Sequence, residues 1–184
     1  GNLFMSCMIK VDSMSLNGTA GFNIGFDQAA GATNNNTQLY VQKITSTTFR
    51  FGIRKRSSVT YTLGIYNINT TYLAVVKYSF ISGADNDSSK VYIFSSSIPA
   101  VEPITPDAFA TTGTDLPDIG QVVLSNMYSQ GNGLNLSSVK VDGIRVSTSW
   151  LTFGLTGFEQ TSSTVPGGFY LGQNFPNPFN PVTN

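Results

Sequence analysis

Apolar and polar residues alternate with a period of two over most of this chain, and no stretch holds a helical period for three turns. Leu3, Met5, Cys7, Ile9 and Val11 fall on one face of the first run while Ser6, Lys10 and Asp12 fall on the other, as in a half-buried strand. Phe22, Ile24 and Phe26 repeat the device, as do Leu39 with Val41, and Phe49, Phe51 and Ile53 with Arg50 and Arg54 opposite. Residues 72–81 are apolar or aromatic on both faces apart from Lys77 and Ser79, which predicts a central strand covered on two sides. A turn rich in Gly, Asp, Asn and Ser follows over 82–89, so this strand and the run at 91–94 read as a hairpin.

Residues 99–120 hold four prolines and little periodicity, which predicts a long connection that crosses an end of the fold or forms a binding loop. Strand patterns return at 121–128 and 138–146. Strands and turns spaced in this way predict an all-β fold, a two-sheet antiparallel jelly-roll sandwich over residues 1–153. From 154 to 168 the composition shifts to Gly, Ser, Thr and a Pro, as in a linker. Residues 169–184 form a tail in which Pro176, Pro178 and Pro181 forbid a helix and prevent central sheet pairing, leaving an extended strip with Phe175 and Phe179 exposed.

Composition narrows the partners. The 184 residues suit one full-sized domain with a tail. Charged residues are only 11%, and ten basic against ten acidic residues give no net field to draw nucleic acid or an anionic membrane. Cys7 is alone, sits in an apolar run and reads as an inert core thiol. No run of about eighteen apolar residues occurs. Residue 1 lacks the charged start and apolar stretch of a signal peptide, so a processed or partial product is expected.

The tail reads Leu171-Gly172-Gln173-Asn174-Phe175-Pro176-Asn177-Pro178-Phe179-Asn180-Pro181. It resembles the opening of the C-terminal sorting domain of the type IX secretion system of Bacteroidetes-like bacteria, whose pattern is Leu-x-Gln-Asn-(Tyr/Phe)-Pro-Asn-Pro-Phe-Asn-Pro. The resemblance implies export by that machinery, followed by release or surface anchoring, and is silent on what the cargo does. The body, with Thr71-Tyr72-Leu73-Ala74-Val75-Val76-Lys77-Tyr78, Ser82-Gly83-Ala84-Asp85-Asn86-Asp87 and Val141-Asp142-Gly143-Ile144-Arg145-Val146-Ser147-Thr148-Ser149-Trp150, resembles a concanavalin-type, laminin-G-like jelly roll. That family's upstream strand is not matched, so an unpaired edge open to another chain is expected.

Chemistry is sparse. No histidine is present, which removes the commonest general base and zinc ligand together with every serine or cysteine triad built on histidine. Glu102 and Glu159 are the only glutamates, and nothing approaches the paired carboxylates of a glycosidase strand. No cofactor is expected apart from calcium, for which Asp85 and Asp87, with Asn86, offer hard oxygen ligands in a segment that equally suits a hairpin turn. Asp115 and Asp118 are weaker candidates, and Asp142 with Arg145 reads as orienting a turn and a strand end. Arg50, Arg54, Lys55 and Arg56 read as a solvated strand end rather than an anion site. Trp150 could stack on a sugar or close the core. Asp12-Ser13-Met14 fits the short pattern O-glycosylated in exported proteins of these bacteria, making Ser13 a candidate. Five Asn-x-Ser/Thr sequons, at Asn17, Asn35, Asn69, Asn86 and Asn135, follow from the composition.

The expectation is therefore a non-enzymatic, secreted or surface protein, structural or adhesive, that self-associates through strand edges and through Phe169, Leu171, Phe175, Pro176, Pro178 and Phe179 of its tail. A head-to-tail contact of that kind builds a fibre. The alternative is a carbohydrate-binding module, which requires an aromatic row such as Tyr40, Tyr72 and Tyr78 to lie exposed on one sheet face.

Overall fold

A computed structural model describes residues 1–14, 19–29, 37–126 and 137–151. The predicted linker at 154–168 and tail at 169–184, with Phe169, Leu171, Phe175, Pro176, Pro178 and Phe179, lie outside the described residues.

Among the described residues the chain forms eleven strands: β1 (Asn2–Met14), β2 (Thr19–Asp27), β3 (Thr37–Lys43), β4 (Thr48–Arg54), β5 (Val59–Tyr61), β6 (Tyr66–Asn67), β7 (Thr71–Ser79), β8 (Ser88–Phe94), β9 (Ala108–Ala110), β10 (Gln121–Asn126) and β11 (Ser137–Ser147). They make two antiparallel sheets, β11-β1-β7-β8-β9 and β10-β2-β3-β4-β5 with β6 paired to β4, packed face to face as a β-sandwich. The chain crosses between the sheets four times, after β1, β6, β9 and β10.

The faces follow the period-two pattern. Met5, Cys7, Ile9 and Val11 of β1, with Tyr72, Ala74, Val76 and Tyr78 of β7, meet Phe22, Ile24, Phe26, Leu39, Val41, Phe49, Phe51 and Ile53 of the opposite sheet in one core. At about 1.5–3 kcal/mol for each large side chain removed from water, this interior is the main stabilising term. Phe49, Phe51, Tyr66 and Tyr72 pack edge-on or tilted at centroid distances of 4.8–6.2 Å, a geometry favoured by the ring quadrupole.

As its two-faced sequence predicts, β7 is covered on both sides. On the outer face of its sheet, Val75 packs with Phe4, Tyr92 and Trp150 in a second cluster, flanked by Phe94 and Ile98. The segment after β8 is tied onto that face: Glu102 accepts hydrogen bonds from Lys77 Nζ and from Tyr92, and Trp150 Nε1 donates to the Pro99 carbonyl at 2.9 Å. Part of the Pro-rich connection is thus a cover for the sheet. It also contributes β9, whose Ala-Phe-Ala sequence is too short for alternation to register.

Two bulges separate β1 from a simple alternation. Between Val11 and Ser13 one extra residue enters β1, and the parity shift brings Met14 into the core after Val11. Between Ser6 and Met8 the extra residue lies in β11, where Gly143 has φ 61° and its N–H donates to Asp142 Oδ1 at 2.7 Å. Asp142 and Arg145 therefore flank a bulge inside a strand rather than a turn at its end.

Candidate functional site

The sandwich has two different side margins. At one, β9 lies against β4 and β5, so the sheets close on each other. The edge strands there, β5 and β9, are three residues each. At the other margin the edges are β10, with six residues, and β11, with eleven, and β11 lies over β2. Short edges give little template for a foreign strand, whereas long ones offer a full row of backbone donors and acceptors.

Register shows which way the side chains at the long margin point. Leu124 is opposite Ile24 and Val122 opposite Phe26, both core residues, so Leu124 and Val122 face the interior. Val146 is opposite Met5, Val141 opposite Ile9 and Val139 opposite Val11, so these face inward as well, and Ile144 shares the face of Val146. Val122, Val139 and Val141 are partly buried against the core. Leu124, Ile144 and Val146, however, remain 54%, 45% and 50% exposed although they point into the space between the sheets. The margin is an open apolar seam. The residues of β10 carry no charge, so the strand lacks the lysine or other charge that commonly guards an edge. Position on a strand with polar neighbours signals such a seam only weakly, because inward-facing valines look alike whether or not a second sheet reaches them.

The candidate acidic residues are gathered elsewhere, at the end of the sandwich where β4 and β7 finish. Lys55 is 1% exposed and is ion-paired with Asp115, which also accepts from the backbone N–H groups of Asn86 (3.1 Å) and Asp87 (2.9 Å). Asp87 accepts from Tyr78 Oη at 2.6 Å and from the Ile81 N–H at 2.6 Å, and Tyr78 Oη in turn accepts from the Leu116 N–H at 3.0 Å. Partial burial pushes the Asp115 carboxyl up, but the Lys55 ammonium and the two N–H groups outweigh it and hold the group below the usual carboxylate range. Burial pushes the Tyr78 hydroxyl up, and its hydrogen bond to Asp87 adds to that. Lys55 is thus a buried cation and not part of a solvated strand end, a correction to the basic cluster. Its partner lies 60 positions away, a separation that local pattern cannot bridge.

This network does not suit calcium. Both Asp87 oxygens already accept from protein donors, Asp85 is an exposed turn residue at φ 58°, and among the described residues no group of three or more His, Cys, Asp or Glu is placed to hold a metal. A calcium ion requires six to eight oxygens. Asp118 instead accepts from the Ala29 N–H at 2.9 Å and fixes a loop.

The aromatic candidates are covered. Tyr72 and Tyr78 belong to the core, and Trp150 is buried among Phe4, Tyr92 and Phe94 with its N–H spent on Pro99. Tyr40 lies on the outer face of its sheet, but it is also buried, donating to Gln38 beneath Arg54. The three tyrosines therefore share no exposed row. Ser13 is exposed on β1 beside Asp12, which pairs with Lys10 (3.4 Å) and Lys140 (2.9 Å). Cys7 is buried, and burial pushes its thiol up to about 12, in keeping with an unreactive side chain. No described helix is long and apolar enough to cross a membrane. Comparison with family models, with curated proteins and with solved structures finds no match for this chain.

Proposed function

We propose that this chain is a non-enzymatic extracellular structural or adhesive protein that associates with copies of itself through the open margin of its sandwich. The observation that supports it is the seam: Leu124, Ile144 and Val146 face the interior of the fold yet are about half exposed, along two long edge strands. Inward-facing apolar side chains left about half exposed beside the uncharged edge strand β10 favour addition of another strand. Export by the type IX route, with the segment from Leu171 onward as its sorting signal, rests on the resemblance of 171–181. Carbohydrate binding has less behind it, because Tyr72, Tyr78 and Trp150 have no open ring face.

Light scattering of the purified chain over a range of concentrations, together with electron microscopy, tests this. Species larger than a dimer that grow with concentration are expected, and the paired substitution Leu124→Asp/Val146→Asp is expected to leave a monomer. A wild-type chain that stays monomeric throughout refutes self-association.

A further inference from the structure

We propose that Asp142-Gly143 is a site of spontaneous covalent modification, where the chain closes a succinimide on itself and reopens it as isoaspartate. The proposal does not rest on the self-association advanced above. Asp142 and Gly143 are both exposed on the edge strand β11. At the bulge, residues 143 and 144 stand together opposite Cys7, so Gly143 has no partner of its own in the register with β1. Its N–H donates to Asp142 Oδ1 at 2.7 Å. An intramolecular attack needs its atoms held about 3–3.5 Å apart, and the bond to Oδ1 keeps the carboxyl carbon, Cγ, beside that nitrogen. Gly143 has no Cβ to shield the nitrogen, and its φ of 61° lies in the region that glycine adopts without strain.

The step needs nothing beyond the chain and water. Gly143 N bonds to Cγ of the protonated carboxyl, the Cγ–OH bond breaks, and the hydroxyl leaves as water with the amide proton. Hydrolysis of the ring at Cγ restores aspartate. Hydrolysis at the main-chain carbonyl gives isoaspartate, in which the backbone runs through Cβ and Cγ and is one methylene longer. That addition falls where β11 already carries an unpaired residue and has a neighbour on one side only, so the fold is expected to survive it.

Other aspartates lack the combination. Asp27 accepts from the Gln28 N–H at 2.8 Å in the same way, but it is buried and the next residue carries a Cβ. At Asp85 and Asp115 the following N–H groups turn elsewhere, that of Asn86 to Asp115 and that of Leu116 to Tyr78 Oη.

The test ages the purified full chain in mildly acidic buffer at physiological temperature, both folded and in guanidinium chloride, at a concentration where it scatters light as a monomer. Brief digestion with trypsin cuts after Lys140 and Arg145 and releases Val141-Asp142-Gly143-Ile144-Arg145 for chromatography and mass spectrometry. The folded chain is expected to accumulate one form of this peptide lighter by a water and another of unchanged mass but shifted retention. The rate is expected to equal or exceed that of the unfolded chain. Slower conversion in the folded chain means that the bulge protects the pair and overturns the proposal, as does conversion at Asp27 that matches that at Asp142. Asp142→Glu should abolish both forms, because closure would need a six-membered ring, and Gly143→Ala should slow them about tenfold. Forms that persist in Asp142→Glu do not arise from this ring and also overturn it. Should a variant fail to fold, the comparison of folded with unfolded wild type decides alone.

Discussion

The two margins of this sandwich use opposite devices. Where β9 meets β4 and β5, the edges are three residues long and the loops beyond them are locked by Lys55, Asp115, Asp87 and Tyr78. Where β10 and β11 run, the edges are long, Lys140 of β11 pairs with Asp12 at the surface, and inward-facing Leu124, Ile144 and Val146 stay about half exposed. A buried ion pair contributes little net stability yet tolerates no loss of one partner, so it fixes geometry. Exposed apolar side chains contribute little to the monomer and become valuable only when something covers them. One margin is closed within the fold, and the other leaves apolar side chains exposed, which is the observation that the proposed self-association rests on.

The largest expected effect is therefore at the closed margin. Asp115→Asn leaves the Lys55 ammonium buried without a counter-charge and is expected to cost about 3–5 kcal/mol in urea unfolding. The pH dependence has a definite sign. The Asp115 carboxyl is held below its ordinary range by Lys55 and two N–H groups despite partial burial, and Glu102 is likewise held down by Lys77 and Tyr92 against its own burial. A carboxyl depressed in the fold contributes stability that is present above its unfolded pKa, about 4, and lost as pH falls through its folded value. Acid titration of stability should show that loss in wild type and a shallower slope in Asp115→Asn. An unchanged slope would remove Asp115 as a determinant of acid stability.

Next comes the outer cluster around Trp150. Trp150→Ala removes a buried indole from Phe4, Tyr92 and Phe94 and the bond to Pro99, and a loss of about 3 kcal/mol is expected. Calorimetry checks it, and a change below about 1 kcal/mol would mean that the outer cluster is dispensable. Smaller still is Gly143→Ala. The nearest atom to an added Cβ is Met8 Cε at 3.6 Å, so space is not limiting, but φ 61° belongs to the left-handed region. A cost of about 1–2 kcal/mol is expected from backbone strain alone, and a neutral result would mean that the bulge relaxes.

Local pattern and long-range contact divide what was legible in the sequence. Residues 3–11, 22–26, 49–53 and 72–81 alternate or stay apolar long enough for strand and face to be read directly, and the sandwich follows from their number and spacing. Strands β5, β6 and β9 escape because two or three residues carry no period. The bulges escape because one inserted residue changes parity without changing composition, so neither Met14 in the core nor the wet Ile144 could be foreseen. The first strand, β1, is paired on both sides, so no unpaired edge lies there, and among the described residues the longer edge strands are β10 and β11. Burial of Lys55 and Trp150 depends on Asp115 and on Tyr92, partners distant in sequence.

The smallest expected change in stability is also the sharpest separation of the two margins. Leu124→Ser and Val146→Thr alter side chains already about half in water, so each is expected to shift monomer stability by no more than about 0.5 kcal/mol. Measured instead by concentration-dependent light scattering, the same substitutions should shift assembly to at least tenfold higher concentration, because every interface in a growing chain of subunits repeats the loss. Asp115→Asn should behave in the opposite way, lowering stability strongly while the molecules that remain folded assemble at the wild-type concentration. If Leu124→Ser instead destabilises the monomer by 2 kcal/mol or more, Leu124 is covered within a single copy. The margin is then closed by the chain's own residues, and the asymmetry between the two sides disappears.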